Sequence, residues 1–205
     1  MSPGLIPLNG PEYTKEGLEI CFALSYYIRM RLVSNLLPLL SQSQHPHVLS
    51  VLNGGKEKAI YDNNIGLAKN WSPIAVINHT TTMTTLSFEY LSEKNEQITF
   101  MHAFPGWVQT DIFARLTPPE SSEILWRMTL AAVRGVVALV MRFFGISTEE
   151  SGERHVYHLT SESSFGPGAW RIDNSSEVVT LSGVLGRYRE GGWPGKILGV
   201  YFGCV

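Results

Sequence analysis

The chain has 205 residues, of which 44% are apolar and 17% are charged, with 16 Lys and Arg against 18 Asp and Glu. This composition is typical of one globular domain that buries its core without disulfides or a structural metal. The net charge of −2, with no block of like charge, argues against nucleic acid as a partner.

The first predicted element is a helix over residues 14–40, with Thr14 as its N-cap. Apolar residues recur in it at three- and four-residue steps, which predicts an amphipathic core helix. These residues are Leu18, Phe22, Leu24, Ile28, Leu32, Leu36 and Leu39.

Two short apolar runs follow, at residues 47–52 and 98–104, and each is stopped by turn residues, as in buried parallel strands. A polar loop through residue 70 and a predicted helix over residues 79–92 lie between them. The alternation of helix and strand predicts an α/β fold with a parallel sheet. Ligands of such folds bind beyond the carboxyl ends of the strands.

The rest of the chain is predicted to form helices over residues 121–144 and 147–159, then a Gly-rich, irregular third with short strands at 169–172 and 197–202. Residues 124–144 are long and apolar enough to cross a membrane. However, Arg127, Arg134 and Arg142 recur through this segment, and charges at those depths are costly in lipid. We therefore predict a buried or surface-lying helix and no integral membrane span.

Signatures of other functional classes are missing from the sequence. The amino terminus lacks the basic region and apolar stretch of a secretory signal, so we expect a cytoplasmic protein. No His/Cys cluster has zinc spacing, and no Gly-x-Ser-x-Gly elbow of a serine hydrolase occurs. We predict no metal site.

The run Pro105-Gly106-Trp107-Val108-Gln109-Thr110, at the end of the second strand, resembles the Pro-Gly-x-Val-x-Thr motif of the short-chain dehydrogenase/reductase (SDR) family. In that family the motif lines the nicotinamide end of the cofactor. The resemblance therefore implies that Pro105, Gly106, Val108 and Thr110 bind NADP(H). It covers residues 1–160 and is closest to a divergent fungal branch found in secondary-metabolite gene clusters.

The resemblance implies a partial Rossmann-like parallel sheet with flanking helices, the carboxyl-terminal part of an SDR fold, in one domain over residues 1–205. Residues 1–4 match the end of the family's fourth strand, which implies an amino-terminal truncation of roughly 100 residues. The chain has no Gly-x-Gly-x-x-Gly turn, so a protein without any cofactor is the alternative. The helices over 117–160 stand where the family carries its substrate lid, although core packing explains their apolar residues equally well.

By position, Ser25, Asn53, His79 and Met83 stand at or beside the family's Asn-Ser-Tyr-Lys catalytic set. All four catalytic residue types are thus replaced, so the resemblance implies degenerate catalytic and cofactor motifs and an impaired reductase. His79 is a candidate proton donor near neutral pH, and Asn53 is a candidate for polarising a carbonyl group. The alternatives are a helix cap for His79 and ordinary turn chemistry for Asn53. His102 is predicted to be a hydrogen-bonded core histidine, and residues 149–155 a solvated, ion-paired helix face.

The first functional hypothesis is an SDR-like oxidoreductase that acts on a carbonyl or hydroxyl group of a small apolar metabolite in fungal secondary metabolism. The alternatives are a pseudoenzyme that serves as an interaction module, and a redox-free isomerase or cyclase that uses His79. A homo-oligomer is also predicted. It would form through an unpaired strand edge or through the outward faces of the first two helices, with Tyr26, Tyr27, Phe88 and Tyr90.

Overall fold

A computed structural model describes residues 10–110, 124–161, 164–181 and 183–203. Within these ranges the strands are β1 (His47–Val51), β2 (Thr99–Ala103) and β3 (Gly168–Ile172). The helices are α1 (Ile20–Phe22), α2 (Ile28–Leu40), α3 (Pro73–Lys94), α4 (Ile124–Phe144), α5 (Thr148–Thr160), α6 (Leu185–Glu190) and α7 (Trp193–Gly203). A π-helical turn, Ala23–Tyr27, joins α1 to α2.

In this part of the chain the strands form a parallel sheet in the order β1-β2-β3. Because side chains alternate along a strand, each strand contributes to two cores. Val48 and Phe100 pack with the first helices and α3, whereas Leu49 and Met101 pack on Phe165 beside α5. The predicted α/β fold, a partial Rossmann-like parallel sheet with flanking helices, is confirmed.

The first helix begins later than predicted. Glu19, not Thr14, is the N-cap, since its carboxylate accepts a hydrogen bond from the Phe22 N–H. The Thr14 hydroxyl accepts instead from the Leu18 N–H within a short turn. The helix therefore begins at Ile20, six residues after the predicted start. The reason is Gly17, whose φ of +80° interrupts the helical backbone.

The apolar face of α2 also differs from the prediction. Its buried side is formed by Met30 and Val33, whereas four of the predicted core residues are exposed. These are Ile28, Leu32, Leu36 and Leu39. The sequence holds two apolar stripes on this helix, and periodicity alone does not say which one meets the sheet.

Two aromatic residues assigned to an outward, oligomer-forming surface lie in the core instead. Tyr26 is fully buried and hydrogen-bonds to Ser87, with 2.8 Å between the hydroxyl oxygens. Phe88 is also buried and packs on Phe100. That part of the oligomer prediction is wrong, and the homo-oligomer itself stays a prediction.

Helix α3 begins at Pro73, six residues before the predicted start, because Ser72 caps it and proline fits the first helical turn. An unusual run of buried threonines occupies its middle: Thr80, Thr81, Thr82, Thr84 and Thr85. The hydroxyls of Thr80 and Thr84 donate to carbonyl oxygens one turn earlier, at Val76 and Thr80. These two hydroxyls are thus satisfied within the helix, whereas the Thr82 hydroxyl donates to the Lys58 carbonyl oxygen in the loop before α3.

Near the carboxyl terminus, the strand predicted over residues 197–202 is instead part of α7. Ile197 and Leu198 are buried where α7 packs against α3. A short apolar run does not distinguish a buried helix from a buried strand. The proline at position 194, which fits the first turn of a helix, is the signal that favours the helix.

Helix α4 lies on the surface. Leu130 is its buried residue. The sequence predicts either a helix buried in the core or a helix lying on the surface, and the first of these is wrong. Within the described residues α4 is also long and apolar enough to cross a membrane, by length and composition alone. The first residues of the predicted lid, 117–123, lie outside the described residues.

Candidate active site at the carboxyl end of the sheet

The turns that follow the three strands meet at one edge of the sheet. The turn after β1 closes with a hydrogen bond from the Lys56 N–H to the Asn53 carbonyl oxygen, 2.9 Å long. Gly54 in this turn lies against the His102 carbonyl at the end of β2. Gly106, after β2, lies against the Asn174 side chain after β3. This edge therefore holds both Asn53 and the Pro-Gly motif.

The close approach at Gly54 leads to a prediction. A Cβ atom added there would lie 1.8 Å from the His102 carbonyl oxygen, which is backbone and cannot move freely. We expect Gly54→Ala to lower the free energy of unfolding by about 1–3 kcal/mol, as measured by urea denaturation. The matched control is Gly152→Ala inside α5, where a Cβ would meet nothing within 4 Å. In that variant the free energy of unfolding should rise by about 0.5–1 kcal/mol. An equal fall in the free energy of unfolding of both variants would contradict the prediction.

Below the turns, one rung of the sheet is polar. Ser50, His102 and Arg171 are aligned across the three strands, and each is buried. From α2, Arg29 reaches this rung and donates to the Ser50 hydroxyl and the Val51 carbonyl oxygen, both at 2.8 Å. Burial lowers the pKa of Arg29 to about 10, so the guanidinium stays charged at neutral pH.

The hydrogen bonds define the state of His102. The Thr85 hydroxyl donates to Glu57 Oε1 at 2.7 Å, so its oxygen must accept from the proton on His102 Nδ1, 2.8 Å away. His102 Nε2 then accepts from the Asn53 N–H at 3.4 Å. Both ring nitrogens of the neutral imidazole are thus engaged, which confirms the prediction of a hydrogen-bonded core histidine.

The environment of His102 disfavours its charged form. Burial, together with the positive charges of Arg29 and Arg171, lowers its pKa to about 4, although the Glu57 carboxylate opposes this shift. Burial alone would raise the pKa of Glu57. Hydrogen bonds from Thr85 and from backbone N–H groups, including that of Gly55, outweigh burial and lower it. At neutral pH the cluster therefore holds a neutral histidine and a carboxylate.

An ion pair completes this network. Arg171 donates to Glu57 Oε2 at 3.2 Å, and the two side chains are only 9% and 4% exposed. Arg171 also donates to the Leu181 carbonyl oxygen at 2.8 Å. The network therefore ties the turn after β1 to the segment after β3. Its chemical role is positioning, since both nitrogens of its histidine are used within the protein.

No continuous sequence pattern predicts this network. The detectable signal was a polar residue at the matching, penultimate position of each strand: Ser50, His102 and Arg171. Glu57 and Thr85 gave no signal, because their partners are distant in the sequence.

The structure places His79 in the interior of α3, away from any helix cap. Its Nδ1 donates to the Ile65 carbonyl oxygen at 3.0 Å, and its Nε2 accepts from the Tyr61 N–H at 2.9 Å. Burial lowers its pKa, against the raising effects of the Ile65 hydrogen bond and of Asp62. His79 thus anchors the long loop between β1 and α3. Among the described contacts no hydrogen bond joins it to Asn53.

The segment predicted to bind the cofactor is held by the connection between α4 and α5. Val108 forms a parallel bridge with Ile146, and the backbone N–H of Ile146 donates to the Trp107 carbonyl oxygen at 2.8 Å. Pro105 and Gly106 are half-buried, and Thr110 is exposed. These residues therefore share one ordered segment that starts at the edge of the sheet.

A small polar pocket opens beside Pro105, between the end of β3 and α5. His158 lies in its wall, almost fully buried, with 3.0 Å between its Nε2 and the Ser176 hydroxyl oxygen. Burial, together with the charges of His155 and Arg154, lowers the pKa of His158 to about 4. Arg154 pairs with Glu150 at 2.7 Å, which confirms the predicted ion-paired face of α5. The described residues hold no cluster of three or more His, Cys, Asp or Glu side chains arranged for a metal ion.

The parallel sheet, with its turns gathered at the carboxyl edge, is the architecture of a Rossmann-like α/β protein. No family model matches the chain. It is 35% identical to oxidoreductase lepF of Aspergillus flavus over 95% of this chain and 64% of that protein. It is 39% identical to oxidoreductase AN1596 of Emericella nidulans over 78% of this chain and 46% of that protein.

A shorter match, 36% identical over 54% of this chain and 33% of the relative, is to short-chain dehydrogenase/reductase SAT2 of Stachybotrys chartarum. The chain therefore spans less than two thirds of the length of these curated relatives. The similarities support an oxidoreductase family of the short-chain dehydrogenase/reductase type, as the resemblance of the Pro-Gly motif implied.

Proposed function

We propose that the chain is part of a nicotinamide-dependent oxidoreductase that acts on a carbonyl or hydroxyl group of an apolar metabolite in fungal secondary metabolism. One observation carries the proposal: Asn53 and the Pro105-Gly106 turn lie at the same carboxyl edge of a parallel sheet, where ligands of this architecture bind. The similarity to fungal oxidoreductases supports the same function.

NADP(H) is the proposed cofactor. The described residues fit its nicotinamide end, because Pro105, Gly106, Val108 and Thr110 form an ordered segment at the open edge of the sheet. They offer no glycine-rich turn for a pyrophosphate, so we assign only the nicotinamide end to this chain. When bound, the cofactor supplies or accepts a hydride.

The residues at this edge would orient the substrate. We propose that the half-buried Asn53 uses its side-chain amide to donate a hydrogen bond to the substrate oxygen. The turn that carries Asn53 is held by His102 and Glu57, through the N–H groups of Asn53 and Gly55. These bonds fix the backbone of the turn, and with it the Cα of Asn53, before substrate arrives, which lowers the cost of binding.

A binding module without catalysis is the second candidate. Its support is the state of the two residues at the family's tyrosine and lysine positions: both nitrogens of His79 are engaged by backbone groups, and Met83 is buried. The redox-free isomerase or cyclase has weaker support, since it requires a free nitrogen on His79. The proposals of a cytoplasmic location and a small-molecule partner accompany the first candidate.

Titration of the full 205-residue chain with NADPH and NADH, followed by cofactor fluorescence, tests the proposal. We expect saturable binding in the micromolar to submillimolar range. Thr110→Ala should weaken it about fivefold, through loss of one hydrogen bond worth about 1 kcal/mol. The matched control is Thr160→Ala at the exposed end of α5, which should bind as the unaltered chain does. Failure to bind at millimolar cofactor would reject the proposal for this chain and favour the binding module.

A further inference from the structure

Helix α4 presents a wide apolar surface to its surroundings. The side of α4 that faces the rest of the protein, called here its body-facing side, is narrow. It is formed by the buried Leu130 and the half-buried Arg134, Val137 and Met141. At about 100° per residue, the opposite side forms an apolar arc of about 160°, interrupted by the exposed Thr129. The exposed residues on that arc include Leu125, Trp126, Met128, Val136, Leu139 and Phe143.

The charges of α4 are arranged as a strip beside this arc. Arg127, Arg134 and Arg142 fall within about 80° of one another around the helix axis. The strip runs from the edge of the body-facing side, where Arg134 is half-buried, towards the apolar arc. No acidic residue occurs between residues 124 and 148, although the whole chain carries a net charge of −2. Over residues 124–144, the described extent of α4, the strip therefore carries three positive charges and no negative one.

We propose that α4 docks the protein on an anionic lipid surface, with its apolar arc in the outer part of the bilayer and its arginines at the level of the phosphate groups. A helix with bulky apolar and aromatic residues on one side and arginines along the other lies in the plane of the membrane interface. Trp126, Phe143 and Phe144, near the two ends of α4, are of the types enriched at that depth.

The arc and the charges favour a lipid surface over other occupants. The arc of about 160° is wider than the stripe of at least about 100° by which a surface helix faces a protein core. The positive charges of the arginine strip are complementary to the negative charges of anionic lipid headgroups. A second copy of α4 would instead bring like charges together. A membrane-spanning orientation would carry Arg134 to the middle of the bilayer, which is costly.

Co-flotation of the full chain with phosphatidylcholine vesicles, with and without phosphatidylserine, tests this proposal. We expect binding only to vesicles that contain phosphatidylserine, reversed by salt, because the charge attraction is screened. Replacing the three arginines of α4 by Gln should weaken partitioning about 100-fold, at about fivefold per charge. The double variant Leu139→Gln/Phe143→Gln should weaken it at least about 50-fold through lost apolar burial.

Leu181→Gln is the matched control, because Leu181 is 81% exposed and lies away from α4. It should bind vesicles as the unaltered chain does, and circular dichroism should show all variants folded, since the replaced apolar side chains are exposed. Equal binding to both vesicle types, or resistance to carbonate extraction, would overturn the proposal. A protein that binds no vesicles but forms a dimer would also overturn the proposal if Leu139→Gln/Phe143→Gln dissociated that dimer. The partner of the apolar arc would then be a second copy of the chain. The test does not depend on cofactor binding, so it can succeed or fail independently of the oxidoreductase assignment.

Discussion

Arg171→Met should lower the free energy of unfolding by about 3–5 kcal/mol, as measured by urea denaturation at neutral pH. The substitution keeps most of the side-chain volume but leaves the Glu57 carboxylate, only 4% exposed, without its cationic partner. An uncompensated charge in the interior is far more costly than the pair was worth. The lost hydrogen bond to the Leu181 carbonyl oxygen adds to the effect in the same direction.

Two variants separate the buried charge from a general loss of packing. Glu57→Gln combined with Arg171→Met should recover most of the loss, because a neutral amide can still accept from Thr85. Arg187→Met removes an ion pair with Asp62 whose side chains are 63% and 44% exposed, and it should cost at most about 1 kcal/mol. A loss below about 1 kcal/mol for Arg171→Met would mean that water or another group reaches the Glu57 carboxylate.

Stability should fall as the pH is lowered from 6.5 towards 4, because of His102. Its pKa is about 4 in the folded protein and about 6.5 in an unfolded chain. In that window the unfolded chain binds a proton that the folded protein does not, so unfolding becomes more favourable as the pH falls. The expected loss by pH 5 is about 2 kcal/mol from this group alone.

Urea denaturation at intervals between pH 7.5 and pH 5 measures this effect. His102→Gln can still donate to Thr85 and accept from the Asn53 N–H, but it cannot be protonated. It should therefore lose the part of the pH dependence that His102 contributes, about 2 kcal/mol by pH 5, while His158, whose pKa is also about 4, keeps its own contribution. His47→Gln, at the start of β1, is the control and should retain the steep dependence. If His102→Gln and the unaltered chain lose stability in parallel, the prediction is wrong.

Local patterns predicted the sheet well. The strands at 47–52, 98–104 and 169–172 were recognised within one or two residues, because each segment is too short for a typical helix and is bounded by turn residues. The predictions that failed concerned choices between equivalent patterns. Helix α2 carries two apolar stripes, and the apolar run at residues 197–202 fits a helix as well as a strand. In the second case the proline at position 194 favours a helix, and the packing of α7 against α3 agrees with it.

The candidate site was predicted only in part. The Pro-Gly motif and the turn at Asn53 are visible because each is a short continuous pattern. The buried network of Glu57, Thr85, His102 and Arg171 is not continuous: its members come from a loop, a helix and two strands, and they meet only after folding. The apolar strand around His102 predicted its structural role correctly, but its hydrogen-bond partners, Thr85 and Asn53, come from distant parts of the sequence.

The threonine-rich middle of α3 has a consequence for how the chain folds. Threonine is a weak helix former because its branched side chain loses rotational freedom against the preceding turn. Five buried threonines leave this segment little intrinsic tendency to nucleate a helix before the sheet forms. Residues 73–94 should therefore acquire their helical structure together with the pairing of β1 and β2. The rate-limiting step would then depend on contacts between distant parts of the chain, which favours slow folding.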